Sequence, residues 1–339
     1  MPSHDPTTYE RVRGIKYAVH FLALAADTRR NRLYAGGTDR GIHVFDLANE
    51  EDEPAARWDG HENFVSSIAL RPGDTNEVLS CGFDRRLIWW DAERGKIARS
   101  VEAHDGWARD LAVSHDGAWI ATVGDDMLVK LWDAESGQLA ATLSGHAPRT
   151  PQGHVSAMYR VAISGDGSML AAADRVGEVR VWEASSMRQV SLLCAPTLYT
   201  YDPVQRKRSI GGVRALAFSR DGKKLVVGGV GQIENVDGIA GPVHVEMWDW
   251  SARKRLQEFH SKENSRGMAN DVLFAEDDGW FACVGGGSDG GFLAFWREGG
   301  ADPIAQHKLD GHLRRLAASD DRSTLYLAGY ELIEVWRAV

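Results

Sequence analysis

A chain of 339 residues, 43% of them hydrophobic, can bury a sizeable core, and 48 acidic against 39 basic side chains leave a formal charge of −9. That balance excludes general affinity for phosphate backbones or anionic membranes and counts against nucleic acid as a partner. Three scattered cysteines (Cys81, Cys194, Cys283) have no disulfide or metal-ligand spacing, no apolar run approaches a membrane span, and no signal-type segment opens the chain. A soluble cytoplasmic protein with no cofactor, no metal and no membrane contact is expected.

In chain order, Tyr9-Glu10-Arg11-Val12-Arg13 ahead of Gly14 reads as a strand with no partner nearby in sequence. A repeating pattern follows, clearest over residues 100–146. Apolar runs at 111–113, 119–123, 128–132 and 139–143 alternate with the turn signals His115-Asp116-Gly117, Gly124-Asp125-Asp126 and Glu135-Ser136-Gly137. Four short strands with tight turns make one antiparallel sheet. The aromatic closing each third strand recurs at Phe45, Trp90, Trp132, Trp182, Trp248, Trp296 and Trp336, mostly near a period of roughly 40–45 residues. First strands alternate apolar and small residues, as in Val19/Ala23/Ala25/Asp27, Ala108/Ala112/Ser114/Asp116, Val213/Ala217/Ser219/Asp221 and Leu313/Ala317/Ser319/Asp321, which suits a crowded inner strand. The chain stops just after a third strand at Trp336, so residues 9–13 are expected to pair with 331–337.

The Gly-His openings and Trp-Asp closings resemble the WD-repeat (WD40, G-protein β-subunit-like) β-propeller family. The resemblance implies an all-β fold, a seven-bladed WD40 β-propeller with four antiparallel strands per blade, as a single domain over residues 1–339. The N-terminal strand, about 9–13, closes the ring by completing the last blade and removes an open seam. The resemblance also implies hydrogen-bonded sets of His, hydroxyl, Asp and Trp. Two blades carry all four, as His61, Ser80, Asp84, Trp90 and as His104, Thr122, Asp126, Trp132. Ser-His-Asp invites a catalytic reading. A nucleophile must be exposed and single, whereas these sets repeat with the fold, so they are assigned to structure and no catalytic residue is expected. Elsewhere the pattern lapses: Ala35 takes the hydroxyl position beside Asp39, Ala172 and Val176 take the hydroxyl and Asp positions, and Tyr330 marks a shortened turn.

Function is sought where the chain leaves its own repeat. Insertions at 147–157, 194–210 and 230–242 fall on connections that emerge on one face of a propeller. Aligned first strands place His20, Ser66, Arg109, Tyr159, Arg214, Asn270 and Arg314 at one inward position, a basic channel mouth. Phe64, Phe83 and Trp107 should form an aromatic patch beside Arg109, a hot-spot composition. The second insertion adds Tyr199, Tyr201, Arg206 and Arg208. The expected function is a non-catalytic protein–protein interaction scaffold, a subunit of a larger complex that binds another protein or an acidic or phosphorylated peptide on this face. The alternative is a propeller enzyme or small-anion binder at the channel mouth. Nucleic-acid binding ranks third.

Overall fold

In the computed structural model all residues are described except 1–2, 50, 74, 205–206, 234–240, 262–265 and 288–289. The chain divides into two compact units: a terminal unit of Thr8–Ser144 with Arg314–Val339, and a middle unit of Gly145–Leu313 with Met1–Thr7.

The terminal unit opens with β1–β4 (Tyr9–Asp27, Arg32–Gly37, Ile42–Asp46, Ala56–Trp58), followed by β5–β8 (Val65–Leu70, Glu77–Gly82, Arg86–Asp91, Lys96–Glu102). Then come β9–β12 (Ala108–Val113, Trp119–Gly124, Val129–Asp133, Leu139–Leu143). In the middle unit lie β13–β16 (Met158–Ile163, Met169–Asp174, Glu178–Glu183, Gln189–Cys194) and a short hairpin, β17–β18 (Tyr199–Asp202, Arg208–Gly211). They precede β19–β22 (Ala215–Phe218, Lys224–Val230, Val243–Asp249, Lys254–His260) and β23–β26 (Met268–Phe274, Phe281–Gly287, Gly290–Trp296, Ala305–Leu309). Strands β27 (Leu313–Ala318) and β28 (Thr324–Ala338) end the chain.

The fold is an all-β propeller. Five sheets are four-stranded, in sequence order, as the turn chemistry dictates. The count of seven blades is corrected to six: the strands expected as separate first and last blades form one six-stranded sheet, β27-β28-β1-β2-β3-β4. The cause lies in β1. Between Arg13 and His20 the chain has no turn signal, so it runs on as one strand of 19 residues. Its first half pairs with β28, Tyr9 opposite Ala338 through Lys16 opposite Leu332, and its second half pairs with β2. The pairing expected for residues 9–13 is present and extends further than expected.

The core lies between neighbouring sheets, where third-strand aromatics are clamped: Phe45, Trp90 and Trp296 are almost wholly buried. Four first-to-second strand turns among the described residues share one device. Ser114 Oγ donates to Asp116 at 2.6 Å and accepts the N–H of Trp119, and Ser219–Asp221 and Ser319–Asp321 repeat the bond at 2.7 Å. These Ser–Asp pairs explain the small-x-Asp ending of the first strands.

Candidate functional site

The surface begins with what holds it from beneath. His61 bonds Asp84 at 2.8 Å through Nδ1 and Ser80 at 2.7 Å through Nε2, and Trp90 Nε1 donates to Ser80 at 2.8 Å. The next blade repeats this, with His104 to Asp126 at 2.9 Å, His104 to Thr122 at 2.9 Å, and Trp132 to Thr122 at 2.9 Å. One donor order satisfies every group: indole N–H to hydroxyl, hydroxyl to Nε2, and Nδ1–H to carboxylate. With both histidine side chains wholly buried, no substrate can reach the hydroxyls. Burial pushes the Asp84 and Asp126 carboxyls up, but the histidine hydrogen bond, with those from backbone N–H groups, outweighs it and holds both below the ordinary carboxylate range.

The same carboxylates aim the loops above them. Asp84 accepts the N–H of Glu62, and Asp126 that of Asp105. Phe83 N–H donates to the Phe64 carbonyl, and Asp125 N–H to that of Trp107. Both contacts need glycine, since a Cβ on Gly82 or Gly124 would come within 2.7 Å of the loop or its histidine. Thus His61-Glu62-Asn63-Phe64 and His104-Asp105-Gly106-Trp107 are one loop built twice, histidine inward, with acid and aromatic outward.

Their aromatics meet. Phe83 stacks on Trp107 with centroids 4.3 Å apart and planes 4° from parallel, and Phe64 lies 5.7 Å from Phe83. Trp107 remains 44% exposed and Phe64 37%. The Arg109 guanidinium lies 4.7 Å from the Trp107 ring centroid and 4.9 Å from that of Phe83. It grips Asp125 with two bonds of 2.7 and 2.9 Å. Its guanidinium is thus engaged within the chain.

Backbone irregularities also change the inward position. Ser66, Arg109, Tyr159 and Asn270 are each the extra residue of a β-bulge. In β1 the bulge falls at Leu22, not His20, which pairs opposite Tyr330 with ring centroids 3.8 Å apart. Of these, Ser66 and Asn270 are buried and bond the carbonyls of Ala108 and Leu313, while after Arg109 and Tyr159 the next residues, Asp110 and Arg160, are the buried ones. In the terminal unit Arg315 donates to the carbonyls of Leu22 and Ser66 and to Asp110, each at 2.9 Å, while Ser67 also bonds Asp110. In the middle unit Arg160 reaches the carbonyls of Arg214 and Asn270 and lies 3.8 Å from Asp271. Tyr159 instead carries the Arg214 guanidinium, 3.5 Å from its ring centroid. Alternation alone cannot place a bulge, so the sequence did not single out Arg160 or Arg315.

The three insertions pack together within the middle unit. Tyr199 donates to Gln152 at 2.6 Å, His154 lies 5.6 Å from Tyr201, and Gln232 donates to the Tyr199 carbonyl at 2.8 Å. Arg208 is exposed at the end of the hairpin turn; Arg206 and residues 234–240 of the third insertion lie outside the described residues.

Other blades rewrite the buried set with residues that sequence spacing missed. His146 bonds Asp174 at 2.9 Å, a carboxylate two positions before Val176. Glu246 bonds His244, Trp248 and Arg255, each at 2.9 Å, and Glu334 takes Trp336 Nε1 at 2.8 Å. The signal was a Glu two residues before the closing Trp. His146, Asp174 and Glu178 lie close enough to suggest a cation, as do His244, Glu246 and Glu258. Arg180 pairs with Glu178, and Arg255 with Glu246 and Glu258, so each cluster already has its positive charge. Ala172 holds the strand position that Ser80 has in its own blade, and His146 Nε2 is buried with no hydrogen-bond partner among the described residues. Ala172→Ser should therefore raise the urea unfolding free energy by about 1 kcal/mol, because a hydroxyl there donates to Nε2 as Ser80 does.

Antiparallel four-stranded sheets, each closed by a third-strand aromatic over a buried His–carboxylate pair or its substitute, define a repeat β-propeller. Residues 52–91 and 95–133 match the family model of the WD domain, G-beta repeat. Those two segments are WD repeats of the G-beta type. Nuclear distribution protein PAC1 of Arthroderma otae is 27% identical over 210 residues, 56% of this chain and 42% of that protein. PAC1 of Komagataella phaffii is 28% identical over 138 residues, 40% of this chain and 28% of that protein. DDB1- and CUL4-associated factor 13 of Xenopus tropicalis is 40% identical over 75 residues, 22% of this chain and 17% of that protein. The matched segments thus span less than half the length of these relatives. Among the described residues no helix is long and apolar enough to cross a membrane.

Proposed function

We propose that this chain is a non-catalytic scaffold that seats a partner protein on the aromatic surface formed by Phe64, Phe83 and Trp107. The observation that carries the reading is the stacked, half-exposed Trp107 on a rigid support. A large aromatic fixed before binding loses little entropy when covered. The name DDB1- and CUL4-associated factor 13 describes a relative by its association with other proteins, which favours the same role here and membership of a larger complex. Enzyme chemistry is disfavoured because the Ser-His-Asp sets are sealed, and a small-anion site because Arg109 is already paired. The hairpin of Tyr199, Tyr201 and Arg208 supplies a second contact region, and it is where an acidic segment finds basic charge. Three unpaired cysteines fit a reducing, cytoplasmic setting.

Affinity purification with mass spectrometry, run on the full chain and on a Phe64→Ala/Trp107→Ala variant, tests this. The variant should keep its thermal melt and lose a stoichiometric partner. A partner set unchanged by the substitutions would overturn the assignment.

A further inference from the structure

We propose that the partner segment seated on this surface is basic, presenting arginine or lysine side chains; this rests on the reading that Phe64 and Trp107 form the docking surface. The charge left open there is negative. The Glu62 side chain is 84% exposed, and among the described residues its one ion-pair neighbour is Arg86, 4.0 Å away. Arg86 is itself held by Ser100 Oγ and the Gly60 carbonyl. Asp105 is exposed and makes no ion pair among the described residues. The one arginine among the aromatics, Arg109, is neutralised by Asp125. Because the loop is built twice, each exposed ring has a carboxylate two residues before it: Glu62 before Phe64, and Asp105 before Trp107.

The surface also contains a template for the mode of binding. Arg109 lies against Trp107 and Phe83 while its fork takes both oxygens of Asp125. A second guanidinium, brought by the partner, finds the same combination in the open parts of Trp107 and Phe64 with Asp105 and Glu62. Cation–π attraction and a charge-assisted hydrogen bond then act on one group. The overall charge of −9 steers a basic segment toward the chain.

The test titrates the full chain with three fluorescein-labelled peptides, an Arg-Gly-Ser repeat, its Lys counterpart and its Glu counterpart, read by fluorescence polarisation. The Arg peptide should bind, more weakly as salt rises, and the Glu peptide should not. Trp107→Ala and the pair Glu62→Gln/Asp105→Asn should each weaken Arg-peptide binding by about tenfold or more. Neutralising Glu51 and Glu53, in the acidic loop before β4, should leave it unchanged. Preference for the Glu peptide, or equal loss on neutralising the β4 loop, overturns the proposal. Loss of a captured protein in the Phe64→Ala/Trp107→Ala variant without any Arg-peptide binding leaves the docking surface standing and removes only its basic partner.

Discussion

Replacing Arg315 by alanine should lower the urea unfolding free energy by about 3–5 kcal/mol, the range for breaking a buried ion pair from one side. One guanidinium ties four first strands of the terminal unit: it leaves β27, caps carbonyls in β1 and β5, and bonds Asp110 in β9. Its side chain is 12% exposed and that of Asp110 is 6%. Alanine therefore strands a carboxylate away from water, with the Ser67 hydroxyl still bonded to it. Arg315→Met combined with Asp110→Leu should recover much of the loss, since two matched apolar groups leave no uncompensated charge. If Arg315→Ala cost less than about 1 kcal/mol, the tie would be incidental.

Deleting residues 8–16 should lower the melting temperature sharply, with a loss of about 3–6 kcal/mol from the missing burial of the Tyr9 and Ile15 side chains alone. Those side chains are 1% and 2% exposed. The segment also supplies the antiparallel partner of β28 from Leu332 to Ala338. Without it that strand becomes an open edge, and aggregation should accompany the lower melt. A synthetic peptide of residues 8–16 should restore the melt by adding the strand back. Calorimetry of the truncated chain, with and without peptide, measures both effects. An unchanged melt would mean that the pairing contributes nothing.

Much of the aromatic surface was legible because its parts are local. A histidine ahead of the first strand, Asp in the following turn and an aromatic three residues after the histidine occur within one loop and one hairpin, and strand pairing brings them together without further information. Arg109 was legible as a neighbour of Trp107 but not as a partner of Asp125. That bond depends on which way a bulged residue turns, and bulges leave no mark in hydrophobic alternation. Asp174 was missed for a related reason: the carboxylate moved two places along the chain while remaining near the same histidine, and spacing rules see only the sequence distance.

By itself the sequence determined the all-β class, the four-strand unit, the two complete His–hydroxyl–Asp–Trp sets and the pairing of the N-terminal strand with β28. Each follows from short-range periodicity or turn chemistry. Only the tertiary structure decided that the strands at the two ends of the chain merge into one six-stranded sheet and that Arg160 and Arg315 reach across the inner strands. It also decided that Glu62 and Asp105 stay exposed while Arg109 pairs with Asp125. Those outcomes depend on where backbone irregularities fall and on which charges meet across sheets, and both are set by contacts between residues far apart in the chain.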